Sequence, residues 1–292
     1  MTEIVSIFRR NIKKYFRDKG ALFFSLLSVF IVTALYMFFL SKMQVDYVKQ
    51  AIGSIDGIES MINSWIIGGL VCIPAVSVPL IILCFRVDDV VAGTEYDLNV
   101  TPAKRMNIML GYVMSAVIVG FTVSAACLAA GEIFIYAKGG HILPFLDMLR
   151  AMSMLLLINI CFSGFEFFVV LLMRTNSSIN VANSVLNILL GFMLGLYVPV
   201  GMLGKGAGNI IKIFPLLQSA SVVRRIMLGD IIENVFSAAP QDAIAKIRSV
   251  YGIDIVLGEK TLSTAFIIAI LVGFGIIFYI ASFAVMKFRK DK

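Results

Sequence analysis

Few side chains in this sequence are equipped for chemistry, and their spacing narrows what that chemistry is. The only histidine, His141, sits in the short turn KGGHILP, so no His-based metal cluster or membrane-protease constellation can be assembled. Cys72, Cys84, Cys127 and Cys161 lie singly in apolar runs, without the close pairing of a zinc knuckle or a CxxC redox site. They read as small buried hydrophobes. No GxxxxGK[ST] phosphate-cradling loop is present: Gly204-Lys205 is followed by Gly206, and Pro199 stands five residues before Gly204. Any energy from a nucleotide must therefore enter through another polypeptide. Two acidic features remain, Glu166 inside an apolar stretch and the pair Asp88-Asp89 just after one.

The elements that must hold these residues are membrane helices. The chain has 292 residues, 60% hydrophobic and 15% charged, with a mean hydropathy of +0.95, against about 45–50% apolar and about 25% charged in a soluble domain. About 20 apolar residues cross roughly 30 Å of hydrocarbon, and six stretches qualify: 21–40, 65–85, 108–135, 149–173, 179–200 and 262–286. The expectation is an all-α integral membrane protein of six transmembrane helices, a single domain over 1–292. The first stretch is too long for a cleavable signal peptide, starts twenty residues in and lacks a small-residue cleavage site.

With both termini inside, the inner pieces 1–20, 86–107, 174–178 and 287–292 carry 14 basic and 7 acidic residues, against 11 and 10 outside. Short basic loops stay cytoplasmic, so the chain reads as a multi-pass protein of the cell membrane with both termini cytoplasmic. The formal net charge of +7 then belongs to the lipid-facing inner surface, with no call for nucleic acid. Lys205, Lys212, Arg224, Arg225, Lys246 and Arg248 fall in a long outer segment, which weighs little in that rule.

Residues 3–17 place Ile4, Val5, Phe8, Ile12, Tyr15 and Phe16 on one helical face and Arg9, Arg10, Lys13, Lys14 and Arg17 largely on the other. That predicts an amphipathic interfacial helix over 1–20 on the inner leaflet, each basic residue contributing about 1 kcal/mol near an anionic surface. The outer loop 41–64 predicts a short helix broken near Gly53 or Gly57, and Trp65 reads as a headgroup-level anchor. Pro74 and Pro79 each remove a backbone donor and bend the second span, either as part of a gate or as an ordinary kink. Ala125/Ala129, Ala126/Ala130 and Gly191/Gly195 have the four-residue spacing of close helix packing. An ionised carboxylate near the bilayer centre costs on the order of 2.5–3.5 kcal/mol, so Glu166 must face protein or water. It reads as a pathway or dimer-interface residue, or as a group hydrogen-bonded to Asn159, Asn183 or Asn187.

The longest inner loop reads RVDDVVAGTEYDLNVTPAKR over 86–105, followed by Gly111. Asp88 and Asp89 can start a short helix that Gly93 ends, and Thr101-Pro102 forms an N-cap and N1 pair for the third span. An acidic stretch, Gly-Thr, Leu, Thr-Pro, a basic residue and Gly in this order resembles the permeases of ABC-2 type ABC transporters. Asp88, Asp89, Gly93, Thr94, Leu98, Thr101, Pro102, Arg105 and Gly111 carry that resemblance. FRDKGALFFSLLS at 16–28 is similar to the family's elbow helix and first span. Phe214-Pro215-Leu216 followed by RRIMLG at 224–229 resembles its re-entrant outer segment. GMLGKGAGN at 201–209 departs from the usual proline-led turn, and the polar run 230–260 reads as an added outer element with a helix near 241–250, within an outer part spanning 201–261.

The resemblance implies the non-catalytic membrane subunit of an ATP-driven exporter. Separate ABC ATPase subunits, which hold the ATP and Mg, would dock on the coupling loop 86–106 through Asp88, Asp89, Gly93, Thr94, Leu98, Thr101, Pro102 and Arg105, beside the N-terminal helix. A second permease chain would pair with this one, and Glu166, Pro74 and Pro79 would lie on the pathway or the interface. The substrate would be hydrophobic or amphipathic: a drug, a peptide or a lipid-like molecule. No cofactor or metal is expected in this chain. An intramembrane enzyme would need convergent groups that Glu166 alone does not supply. The rival is a stand-alone ion-coupled transporter with Glu166 carrying a proton.

Overall fold

Hydropathy and helix-breaking residues set the element order. A computed structural model describes residues 2–20, 23, 27, 31, 41–94, 105–236, 241–257 and 260–288. The expected first span, 21–40, falls largely outside the described residues, as do Leu98, Thr101 and Pro102. The helices are α1 (Thr2–Arg17), α2 (Ser41–Ile52), α3 (Ile58–Leu70), α4 (Cys72–Val91), α5 (Arg105–Ala137), α6 (Phe145–Leu172), α7 (Asn176–Met193), α8 (Lys205–Ile213), α9 (Pro215–Phe236), α10 (Gln241–Val250) and α11 (Thr264–Phe288). Strand structure among the described residues is one two-residue antiparallel ladder, β1 (Val256–Leu257) on β2 (Lys260–Thr261).

Four helical runs among the described residues are long and apolar enough to cross a membrane: 58–91, where α3 leads into α4, then α5, α6 and α11. The molecule is a helical protein of membrane type. Gly53 and Gly57 adopt φ of 88° and 93°, conformations open to glycine, and separate α2 from α3. The α3/α4 division lies at Val71. Pro74 accounts for it, because without an N–H it leaves the Leu70 carbonyl without its helical donor. Pro79, in contrast, sits inside the unbroken α4.

The stretch 179–200 is not one continuous helix. α7 stops at Met193, Gly195 turns to φ 65°, and the Leu196 N–H donates to the Gly191 carbonyl at 2.9 Å. This is a Schellman ending. A Cβ on Gly191 would lie 2.1 Å from the Tyr197 ring, so Gly191 and Gly195 fold the chain back and do not join two helices of this chain. The alanine pairs on α5 do not make the close approaches either, since Ala126, Ala129 and Ala130 are exposed. Glycines do: Gly111 receives Ile7, Gly120 receives Pro79 and Asn159, and Gly131 receives Ile67.

Two apolar cores result. One, at the α1 end, gathers Ile7, Tyr15, Phe85, Ile108, Val170 and Ile179. The other, at the far end, gathers Trp65, Leu128, Leu155, Leu194, Leu217 and Tyr251. α9 is bent at Gly229 (φ 32°, ψ −126°), and the part before the bend is packed among α3, α6 and α11 with residues 215–224 all buried.

Candidate functional site

The acidic pair does not start a new helix. Nothing between Phe85 and Val91 breaks the α4 hydrogen-bond ladder, so Asp88 and Asp89 occupy its last turn, and Gly93 at φ 78° ends it. Carboxylates near a helix C-terminus oppose the macrodipole and call for compensating cations. α1 supplies them: Arg10 Nη2 donates to Asp89 Oδ2 at 2.5 Å and Lys14 Nζ to Asp88 Oδ2 at 2.9 Å. The Tyr112 hydroxyl of α5 donates to the same Asp89 oxygen. Arg10 also donates to the Tyr112 oxygen at 2.9 Å, and Asn11 Nδ2 to Ser115 Oγ at 3.1 Å. The Lys14 ammonium lies 4.1 Å from the centre of the Phe85 ring. Burial pushes the Arg10 guanidinium's pKa down, but Tyr112 and Asp89 outweigh it and the net shift is upward.

This junction revises the reading of α1. Its inner face is Ile7, Asn11 and Tyr15, laid against Gly111 and the rest of α5, and Asn11 is buried because its amide has a partner there. Of the expected membrane-surface set, Arg10 and Lys14 also pair with Asp89 and Asp88, and Arg9, Lys13, Lys14 and Arg17 are exposed. Val5 and Phe16 are exposed as well, so the apolar flank of α1 faces away from the bundle. Asp89 is 14% exposed and Asp88 45%, which leaves Asp88 as the accessible carboxylate. Thr94 follows Gly93, and Arg105 is exposed at the start of α5.

Glu166 is fully buried on α6, and neither of its oxygens has a hydrogen-bond partner among the described residues. The expected asparagine partners are engaged elsewhere. Asn159 Nδ2 donates to the Leu155 carbonyl at 2.8 Å, Asn183 Nδ2 to Cys84 Sγ at 3.8 Å, and Asn187 Nδ2 to the Asn183 carbonyl at 2.8 Å. Asn159 lies two turns from Glu166 on the same helix, about 10 Å along the axis, too far for a bond. Pro79 packs on Gly120 beside Asn159, one layer of the α4–α5–α6 contact, while Pro74 marks the α3/α4 break.

At the far end the structure assembles residues that sequence reasoning missed. Trp65 is no headgroup anchor: it is buried, and its indole N–H donates to the Tyr251 carbonyl at 2.7 Å. The Arg224 guanidinium lies 4.6 Å from the Trp65 ring centre and donates to the Leu194 carbonyl at 2.7 Å, a cation at the C-terminus of α7. Gly68 and Gly69 make room for it, since a Cβ on Gly69 would meet Arg224 Nη2 at 2.7 Å. Arg225 and Arg248 both pair with Asp254, at 3.1 and 2.6 Å. Glu132 of α5 is buried, and its Oε2 accepts from the Leu143 N–H at 2.8 Å, fixing the turn that carries His141. A carboxylate inside an apolar run was the available signal for Glu132; nothing local marked Trp65 or Arg224.

Among the described residues no three His, Cys, Asp or Glu side chains come together as metal ligands. The α1–α4–α5 junction ties a carboxylate that is 45% exposed to the end of a long helix. No protein-family model matches this chain, and no curated protein matches it in sequence.

Proposed function

We propose that this chain is the permease subunit of an ATP-driven exporter of the ABC-2 type, with six spans, both termini cytoplasmic and a re-entrant outer segment around α9. The observation that carries the reading is the α1–α4–α5 junction. An acidic pair closes a long apolar helix, the N-terminal helix pairs with it through Arg10 and Lys14, and the Asp88 side chain remains 45% exposed. In this reading a separate ATPase subunit, holding ATP and Mg, presses on Asp88, Gly93, Thr94 and residues 95–104. α4 then carries the displacement past Pro79 toward the break at Val71. Arg9, Lys13 and Arg17 meet anionic lipid, and the cargo is hydrophobic or amphipathic.

Co-purification tests the reading. A tagged chain that retains an ATPase, with export that stops when that ATPase is inactivated, supports it. Replacing Asp88 and Asp89 together with Lys leaves insertion intact and separates ATP hydrolysis from export; unchanged coupling would remove the junction from the mechanism. A second reading rests on Glu166, whose two oxygens lack partners among the described residues. In that reading the chain is a stand-alone transporter in which Glu166 carries a proton. Transport by the purified chain alone, driven by a proton gradient and lost in Glu166→Gln, would replace the exporter reading.

A further inference from the structure

α8 and α9 are joined at Phe214 in a tip that is sunk in the bundle. A Cβ on Gly57 would lie 3.0 Å from Val235, and one on Gly68 would lie 3.2 Å from the Arg224 Cα, so α9 runs antiparallel to α3. Its first residue, Pro215, stands nine residues before Arg224, roughly 13 Å further in. There the Phe214 ring meets Phe162 of α6 at 6.3 Å and Phe274 of α11 at 6.0 Å between centres. Residues 215–224 are buried, but Ile213 is 64% exposed, so the tip borders the molecular surface.

A helix that starts away from water needs acceptors for its first N–H groups. Pro215 carries none, which removes one demand. Phe214 has no side-chain oxygen to cap the turn, and the N–H groups of Leu216 and Leu217 have no hydrogen-bond partner among the described residues. The carbonyls just before the tip are turned to another group: Gln218 Nε2 donates to those of Lys212 and Ile213 at 3.0 and 3.3 Å. These bonds hold the Gln218 carboxamide across the start of its own helix. Its Oε1 is the second unmet demand, since Gln218 is 1% exposed and that oxygen has no donor among the described residues. Two donors and one acceptor are left open at one end of one helix.

We infer that this tip binds a neutral amide, of the kind a peptide bond presents, carried on an apolar ligand. The N–H groups of a helix start favour an anion, but a carboxylate or a phosphate brings acceptors alone and would set them against the buried Oε1. An amide supplies both halves: its carbonyl accepts from Leu216 and Leu217, and its N–H donates to Gln218. The rings of Phe162, Phe214 and Phe274 suit apolar substituents on either side of it. The inference rests on the exporter reading in making this ligand the cargo, and it narrows that cargo from hydrophobic or amphipathic molecules at large to apolar peptides and related amides.

The test uses the full chain in lipid vesicles and three pyrene-tagged amphiphiles of equal chain length: an N-methyl amide, a methyl ester and a free carboxylate. Trp65 is the only tryptophan, so transfer of its emission to pyrene reads occupancy above the linear background of probe dissolved in lipid. The amide gives saturable transfer. The ester keeps the acceptor and lacks the donor, and it binds about tenfold more weakly because Oε1 stays unpaired. The carboxylate is weaker than the amide as well. Gln218→Met, with its Trp65 emission maximum in place as a check on the fold, weakens the amide about tenfold and brings it level with the ester. Equal binding of amide and ester by the unaltered chain, a comparison that needs no variant, would overturn the inference. So would tighter binding of the carboxylate, or no saturable transfer at all, the result if the tip holds only water. ATPase capture is scored separately: amide-selective binding without capture keeps the tip and removes the exporter, whereas capture without amide preference keeps the exporter and removes the tip.

Discussion

Asp89→Asn should unlatch α1, and the size of the effect follows from the contacts. One carboxylate oxygen accepts from Arg10 at 2.5 Å and from the buried Tyr112 hydroxyl. Hydrogen bonds to a charged group contribute about 1.5–3 kcal/mol each, against about 1 kcal/mol for neutral pairs. The Arg10 side chain is 37% exposed, so screening limits the ionic part of its bond to about 1 kcal/mol or less. Asparagine keeps an acceptor in place and loses the charge. The expected loss is about 2 kcal/mol, or about thirtyfold in the ratio of docked to undocked α1. Ile7, 6% exposed against Gly111, is the reporter site. In an Ile7→Cys chain, maleimide labelling in native membranes follows the open fraction when reclosing is faster than labelling. Asp89→Asn should speed labelling about thirtyfold. Asp88→Asn breaks a pair whose members are 42% and 45% exposed and should speed it less than about fivefold. Equal rates with and without Asp89→Asn, or a larger effect from Asp88, would refute the assignment of Asp89 as the latch.

Other consequences are as specific. Gly120→Val places a Cβ 2.2 Å from Asn159 Oδ1 and 2.6 Å from Pro79 Cγ, an overpacking expected to cost about 1–3 kcal/mol or more and to lower the melting temperature in detergent. Gly206→Ala, with nothing within 4 Å of the new methyl, is the matched control and should be close to neutral. Arg224→Met withdraws the donor from the Leu194 carbonyl and should destabilise by about 1–3 kcal/mol. Because Trp65 is the only tryptophan, its fluorescence reports that stack directly: Arg224→Met shifts the emission, whereas Arg225→Met, whose guanidinium bonds Ile253 and Asp254, leaves it in place.

What could be read from the sequence was what local patterns control. The amphipathy of α1, the breaks at Gly53 and Gly57, the helix over 241–250 and the end of α4 at Gly93 all depend on residues within a few positions of one another. The misreadings share one cause. Transfer free energy rewards leaving water and does not distinguish lipid from protein as the destination. Hydropathy thus gave Trp65 to the headgroups and carried no sign that it would meet Arg224 across 159 positions in a protein interior. It also counted 179–200 as one helix, because Gly195 and Leu196 are apolar by composition while their backbone turns back. On α1 it named the two faces correctly as apolar and basic, but could not say which would be covered. Asn11 and Arg10 decide that, through partners on α4 and α5 more than seventy residues away.

The same limit explains why charge was the better guide to the candidate site than apolarity. An unpartnered charge or amide at low dielectric costs far more than a misplaced leucine gains, so each buried or membrane-level polar group constrains the assembly around it. Asp88 and Asp89 required cations, and α1 is positioned where Arg10 and Lys14 provide them. Arg224 required acceptors, and the end of α7 provides the Leu194 carbonyl.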